Sequence, residues 1–95
     1  RHLDEARRID LTELVRAEVT GLQARADALG VTIRADVDGA AFVNGDAFLL
    51  RRALANLLGN ALEFSQREGS VTVRLEHHAD RIVLEIRDRG PGIPD

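Results

Sequence analysis

The spacing of the apolar residues changes along this 95-residue chain, and that change narrows the possible folds more than any other feature. From Asp10 onward, apolar residues recur every three or four positions until Gly30, which predicts one helix between these residues. Asp10 and Glu13 resemble a capping box at the start of that helix. Apolar and polar residues then alternate over residues 31–36, which predicts a half-buried strand.

The second half of the chain predicts a strand, a helix and two further strands. Residues 41–43 predict a short strand, and Asp46 is placed to cap a helix that runs to about Phe64. Residues 71–76 and 82–86 alternate again, which predicts an antiparallel hairpin with one face on a core. This succession favours the α+β class, with two layers and helices on one face of a mixed, mostly antiparallel sheet.

Composition argues against several classes of protein. A formal net charge of -3 argues against a nucleic-acid partner, because such proteins normally carry a basic face. The chain has no cysteine, which rules out disulfide bonds and thiolate metal sites within it. Its apolar runs are too short to cross a bilayer. We therefore expect a cytoplasmic domain, while a longer parent protein can still lie in the inner membrane.

Two asparagines on the second predicted helix are the first candidates for a functional site. Asn56 and Asn60 are four residues apart, so they lie nearly above one another at one edge of the apolar arc. Asparagine is a poor helix former, and its carboxamide oxygen is a suitable ligand for Mg²⁺ beside phosphate oxygens. A pair of solvated boundary residues explains the same pattern, and this helix alone leaves both interpretations open.

The end of the chain supplies a second set of candidates. Asp88 ends a predicted strand, and Gly90 and Gly92 follow it directly. Glycine lets the backbone approach a ligand closely, and a carboxylate can accept a hydrogen bond from an amino group such as that of adenine. An ordinary turn with a turn-favouring aspartate explains these residues equally well.

Taken together, the two segments resemble a known family. Residues 56–65 (Asn-Leu-Leu-Gly-Asn-Ala-Leu-Glu-Phe-Ser) are similar to the asparagine box of sensor histidine kinases. Residues 88–94 (Asp-Arg-Gly-Pro-Gly-Ile-Pro) are similar to their first glycine-rich box, and residues 9–15 look like the usual start of their ATP-binding domain. The resemblance is to the histidine-kinase branch of the GHKL superfamily, which also includes gyrase, Hsp90 and MutL. It implies a Bergerat-type two-layer α/β sandwich.

The resemblance also implies how the chain is divided. Residues 1–9 would be the end of a preceding dimerisation helix or a linker, and residues 10–95 the N-terminal two-thirds of the ATP-binding domain. The second glycine-rich box, the lid and the phospho-accepting histidine have no counterpart in this sequence, since His2 lacks the required context. We therefore expect an incomplete domain that is inactive alone and that associates through an open sheet edge.

The resemblance assigns roles in ATP binding to particular residues. Asn60 would be the Mg²⁺ ligand, and Asn56 would lie beside the phosphates. Asp88 would bind the adenine amino group, and Phe64 would pack near the adenine, although a core position suits Phe64 equally. The remaining residues would shape the loop and the base pocket: Gly90, Gly92 and Ile93.

Two positions bear on the type of reaction. Hydrolytic members of the superfamily usually have a glutamate base at the position of Asn56, so asparagine there favours phosphoryl transfer over hydrolysis of the gyrase or Hsp90 kind. The family commonly has lysine or arginine, touching phosphate, at the position of Glu63. Glu63 would repel the nucleotide there unless it turns outward or an arginine such as Arg67 substitutes.

These observations predict the ATP-binding catalytic domain of a two-component sensor histidine kinase. The full-length protein would be a homodimer that binds Mg-ATP and transfers the γ-phosphoryl group to a histidine on its own dimerisation and phosphotransfer domain. A response regulator would then accept the phosphoryl group. The domain would contribute positioning and charge neutralisation, so no residue is assigned as catalytic. The alternative is a degenerate, non-catalytic dimerisation or regulatory module of the same fold.

Overall fold

The computed structural model of the chain describes residues 7–65 and 69–89. Its strands are β1 (Arg7–Asp10), β2 (Thr32–Asp36), β3 (Phe42–Gly45), β4 (Ser70–His77) and β5 (Ile82–Arg89). Its helices are α1 (Leu11–Gly21), α2 (Gln23–Leu29) and α3 (Ala47–Phe64). Within these ranges, no helix has the length and apolarity needed to cross a membrane.

The described strands form one three-stranded sheet and one separate pair. The sheet has the order β2-β4-β5, in which β2 is parallel to β4 and β4 is antiparallel to β5. Strands β1 and β3 make the separate antiparallel pair. The predicted mixed sheet of an α+β fold is therefore confirmed, and so is the predicted hairpin of β4 and β5.

A single hydrophobic core holds the helices against one face of this sheet. Its largest fully buried side chains are Val15 of α1, Leu58 and Leu62 of α3, and Val71 and Val73 of β4. Because side chains alternate along a strand, the residues between the buried valines point to the outer face of the sheet. The outer face carries mainly polar and charged side chains: Thr32, Arg34, Asp36, Ser70, Thr72, Arg74 and Arg87.

The first predicted helix is two helices in the structure. Helix α1 ends at Gly21 and α2 begins at Gln23, while Leu22 between them has φ −98° and ψ 1°. Glycine is a poor helix former, so the helix is weakest at this point, and Leu22 packs against the core after the break. Gly30 ends α2 as predicted, in the left-handed conformation with φ 73°.

The segment before the first helix requires a second correction. Arg7, Arg8 and Ile9 lie in strand β1 and not in a helix, with Arg7 opposite Gly45 of β3, while the expected division of the chain at residue 9 stays a prediction. The Arg8 guanidinium also lies over the Phe42 ring, 4.4 Å from its centroid. Backbone pairing and this cation–π contact form only when the chain returns to β3, so residues 7–9 alone do not indicate a strand.

Asp10 fixes the start of α1 as predicted. Its Oδ1 accepts hydrogen bonds from the backbone N–H groups of Thr12 at 3.1 Å and Glu13 at 3.4 Å. The same oxygen accepts a third hydrogen bond from the N–H of Ala41 at 3.4 Å, which ties the helix to the segment entering β3. Asp46 caps α3 in the predicted way.

Replacing the Asp10 carboxylate should therefore destabilise the domain. Asp10→Ala is expected to lower the free energy of unfolding by about 1–2 kcal/mol, because several backbone N–H groups lose their acceptor. Asp38→Ala removes an exposed carboxylate and should change the free energy by less than about 0.5 kcal/mol. Urea denaturation followed by circular dichroism measures both, and equal stability of the two variants would contradict the cap.

Candidate functional site

The apolar arc predicted for α3 is buried along only half of its width. The buried half consists of Leu54, Leu58, Ala61 and Leu62, together with Gly59. The exposed half consists of Leu49, Ala53, Leu57 and Phe64. Among the residues that the structure describes, α3 therefore uses one apolar stripe for the core and leaves a second stripe uncovered.

The two candidate asparagines border this exposed stripe. Asn56 and Asn60 are both exposed. On the helix surface Asn60 lies between Leu57 and Phe64, which are three residues before it and four residues after it. The carboxamides therefore stand beside an apolar surface, which is the combination that a ligand with an aromatic part and a charged part requires.

The position of Phe64 excludes one of its two predicted roles. Its side chain is 79% exposed at the last residue of α3, so Phe64 is not a core residue in the described structure. An exposed phenylalanine ring leaves a large apolar area in water, and burying it under a ligand recovers that hydrophobic free energy. The ring is thus available to a planar base.

Asp88 lies at the same end of the domain as the C-terminal turn of α3. It is paired with Val71, next to the first residue of β4, and only residues 65–69 separate this strand from Phe64. Asp88 also alternates in phase with Ile86, which packs against the core, so its side chain belongs to the helix-facing side of the sheet. Helix α3 packs against both β4 and β5.

A hollow of about 480 Å³ lies on the outer face of the sheet, and Asp88 is among its lining residues. The main chain of a strand borders both faces, so this lining does not decide the direction of the side chain. Asn56 and Asn60 do not line this hollow. A shared cleft for the asparagines and Asp88 therefore stays a prediction, and Gly90, Gly92 and Ile93 lie outside the described residues.

Glu63 is turned toward α2, where it meets a basic partner. The Arg25 Nη2 lies 2.7 Å from the Glu63 Oε2, and both side chains are about half exposed. The other terminal nitrogen, Nη1, would lie 3.3 Å from a Cβ atom at Gly59. Arg67, the arginine named from the sequence, lies outside the described residues, and the contact with Arg25 was not predicted. No local pattern links residues 38 positions apart.

The chemistry of the candidate residues suits a metal ion that arrives with its nucleotide. The described ranges contain no group of three or more histidine, aspartate or glutamate side chains that could hold a metal ion. Mg²⁺ commonly uses a few protein oxygens, waters and substrate phosphates rather than a complete protein cage. The carboxamide oxygen of Asn60 fits such a partial ligand set.

Residues 45–95 match the HATPase_c family of histidine kinase-, DNA gyrase B- and HSP90-like ATPases. The chain belongs to this family. One curated relative, the sensor-like histidine kinase SenX3 of Mycobacterium tuberculosis, is 32% identical over 85 residues, which are 90% of this chain and 21% of SenX3. Other curated sensor proteins match over shorter segments, and the chain spans about a fifth or less of their lengths.

Solved structures of histidine kinases share this fold. The catalytic domain of histidine kinase ThkA superposes with a TM-score of 0.84 at 22% identity, over 96% of this chain and 63% of that one. Full-length ShkA in complex with AMPPNP has a TM-score of 0.80 at 26% identity, over 94% of this chain and 19% of that one. The fold of this chain is thus that of a histidine kinase catalytic domain.

Adjacent leucines on α3 test the division of its apolar arc. Leu58 is fully buried and Leu57 is 51% exposed, although both belong to the arc predicted from sequence. Leu58→Ala should lower the free energy of unfolding by about 2–5 kcal/mol, because it leaves a cavity in the core. Leu57→Ala should cost less than about 1 kcal/mol. Denaturant titration measures the difference, and equal losses would contradict the orientation of α3.

Proposed function

We propose that this chain is the cytoplasmic ATP-binding catalytic domain of a two-component sensor histidine kinase and that it binds Mg-ATP. The main support is the exposed half of α3, where Asn56 and Asn60 border an apolar stripe that ends at Phe64. Family membership supports nucleotide binding, and the complex of the relative ShkA with AMPPNP supports an adenine nucleotide.

Each candidate residue has a distinct task in this proposal. The carboxylate of Asp88 accepts a hydrogen bond from the adenine amino group, and Phe64 offers its ring to the base. The carboxamide oxygen of Asn60 helps to hold Mg²⁺, while Asn56 lies beside the phosphates. The remaining residues form the adjoining loop and base pocket: Gly90, Gly92 and Ile93.

The residues of the site favour transfer of a phosphoryl group over its hydrolysis. A carboxamide does not accept a proton from water near neutral pH, so Asn56 is unsuited to act as a general base. Mg²⁺ supplies charge neutralisation on the phosphates when it is bound. The acceptor in the proposal is a histidine on the dimerisation and phosphotransfer domain of the homodimer, and a response regulator receives the phosphoryl group next.

A degenerate, non-catalytic module is the second candidate, and Glu63 is the observation in its favour. A carboxylate near the phosphates repels them when it stands alone. The Arg25 guanidinium pairs with this carboxylate at 2.7 Å, which offsets the repulsion. The pairing therefore favours nucleotide binding over the degenerate alternative.

Two substitutions test the proposed site, one at the phosphate end of the nucleotide and one at the adenine end. In the full-length protein, Asn60→Ala and Asp88→Asn should each weaken ATP binding by about tenfold or more, because the first removes a ligand of Mg²⁺ and the second replaces a charged hydrogen-bond acceptor with a neutral one. The Asn60→Ala effect should need Mg²⁺ and disappear in EDTA, while the Asp88→Asn effect should persist. Isothermal titration calorimetry measures both.

Matched controls come from exposed residues away from α3 and the end of β5. Asn44→Ala and Asp80→Asn make the same chemical changes on β3 and in the β4–β5 turn, and we expect ATP affinity like that of the wild type. Unchanged affinity in both Asn60→Ala and Asp88→Asn would refute the site.

A further inference from the structure

We propose that Arg25 of α2 is the cation that meets the nucleotide phosphates, and that Glu63 and Gly59 of α3 position it. This inference rests on the proposed function, because it assigns a phosphate contact within the same site. It concerns a residue outside both segments that carry the family resemblance. Arg25 reaches the site only because its side chain extends from α2 to Glu63 and Gly59 of α3.

Two residues of α3 lie against the guanidinium of Arg25. The Glu63 Oε2 holds Nη2 at 2.7 Å. On the other side, Nη1 lies so close to the backbone of Gly59 that a Cβ atom there would be 3.3 Å away. An alanine at this position would push the guanidinium outward by a few tenths of an ångström, so glycine gives it the space it uses.

The two positions that Arg25 contacts are neighbours of the candidate asparagines on α3. Gly59 and Glu63 are one turn apart on α3, and Asn56 and Asn60 form a parallel pair one turn apart. On a helix surface, residues three and four positions apart are neighbours, so these four positions form one continuous patch. Arg25 covers one side of this patch, and the asparagines form the other side.

The charge of this patch requires a cation from elsewhere in the chain. Helix α3 has no basic residue in its last turn, and the acidic Glu63 stands there instead. The phosphates of ATP remain negatively charged beside one Mg²⁺, so this patch would repel them without Arg25. Arginine has five N–H donors, and those not engaged by Glu63 can donate to phosphate oxygens.

The ion pair between Arg25 and Glu63 contributes little to the stability of the fold. Both side chains are about half exposed, and ion pairs at such exposure contribute little to stability. If Arg25 only joined the two helices, its loss would change the affinities for adenosine and ATP equally, or would change neither. A phosphate contact would affect ATP alone, and this difference separates the two roles.

The experiment compares Mg-ATP with adenosine by calorimetry on the full-length protein. Arg25→Gln should weaken ATP binding by about tenfold and leave adenosine affinity unchanged, because a charge-assisted contact to phosphate is lost. Arg25→Glu should weaken it further. The double variant Arg25→Glu/Glu63→Arg exchanges the two charges across the helices and should recover most of the ATP affinity.

Further variants separate position from charge. Gly59→Ala keeps every charge and should also reduce ATP affinity without loss of thermal stability, because it displaces the guanidinium. Arg81→Gln removes an exposed arginine from the β4–β5 turn and should bind both ligands like the wild type. Thermal unfolding of each variant identifies any that fail to fold, and Arg25→Gln preserves the size of the side chain approximately.

The possible outcomes distinguish this inference from the proposed function. If the wild type binds ATP and Arg25→Gln leaves the ratio of ATP to adenosine affinity unchanged, Arg25 only joins the two helices and the inference fails alone. If the wild type binds neither ligand, the proposed function fails and this inference fails with it. Loss of ATP affinity in Arg25→Gln with recovery in the charge exchange would support both.

Discussion

The packing of α3 on β4 is the contact on which the rest of this structure depends. Leu58 and Leu62 are fully buried against the core that Val71 and Val73 complete. Such packing fixes the rotation of a helix about its axis, because turning it by one residue changes the direction of every side chain by about 100°. The same contact that provides much of the core therefore directs Asn56 and Asn60 away from it.

The packing of α3 leaves half of its apolar arc exposed, and the proposed nucleotide site lies on this half. A soluble helix usually places most of its large apolar residues on one buried face. Here Leu57 and Phe64 stay exposed while other residues of the helix fill the core. Asn60 lies between these two side chains along the helix, and Asn56 lies beside Leu57. The surface thus combines an apolar part with polar groups, which is the combination that the proposed Mg-ATP site requires.

The pairing of Glu63 with Arg25 shows that the residue type at one motif position does not by itself give the charge around that position. In the sequence, Glu63 is a negative charge at a position where the sensor histidine kinases that this chain resembles commonly have a lysine or arginine. In space, its carboxylate lies 2.7 Å from a guanidinium on another helix. The electrostatic potential near the site depends on both groups, so its sign follows from the contact of the Arg25 side chain with α3 as much as from either residue alone.

Much of the fold was predictable because its signals are local. Asp46 begins a helix and Gly30 ends one through hydrogen bonds and backbone angles that involve only near neighbours. The hairpin of β4 and β5 follows from strict alternation over consecutive residues. The break at Leu22 and the strand at residues 7–9 were not predicted, since packing against the core and pairing with β3 decide them.

The sequence by itself determined most of the element types, the family resemblance and the identity of the candidate ligands Asn56, Asn60 and Asp88. Periodicity marks which residues are apolar, but it does not tell which half of a wide apolar arc meets the core. Only the tertiary structure decided that Leu58 is buried while Leu57 is exposed, and that Arg25 stands over Gly59. Both outcomes depend on contacts between segments far apart in the chain, whose geometry no local spacing specifies.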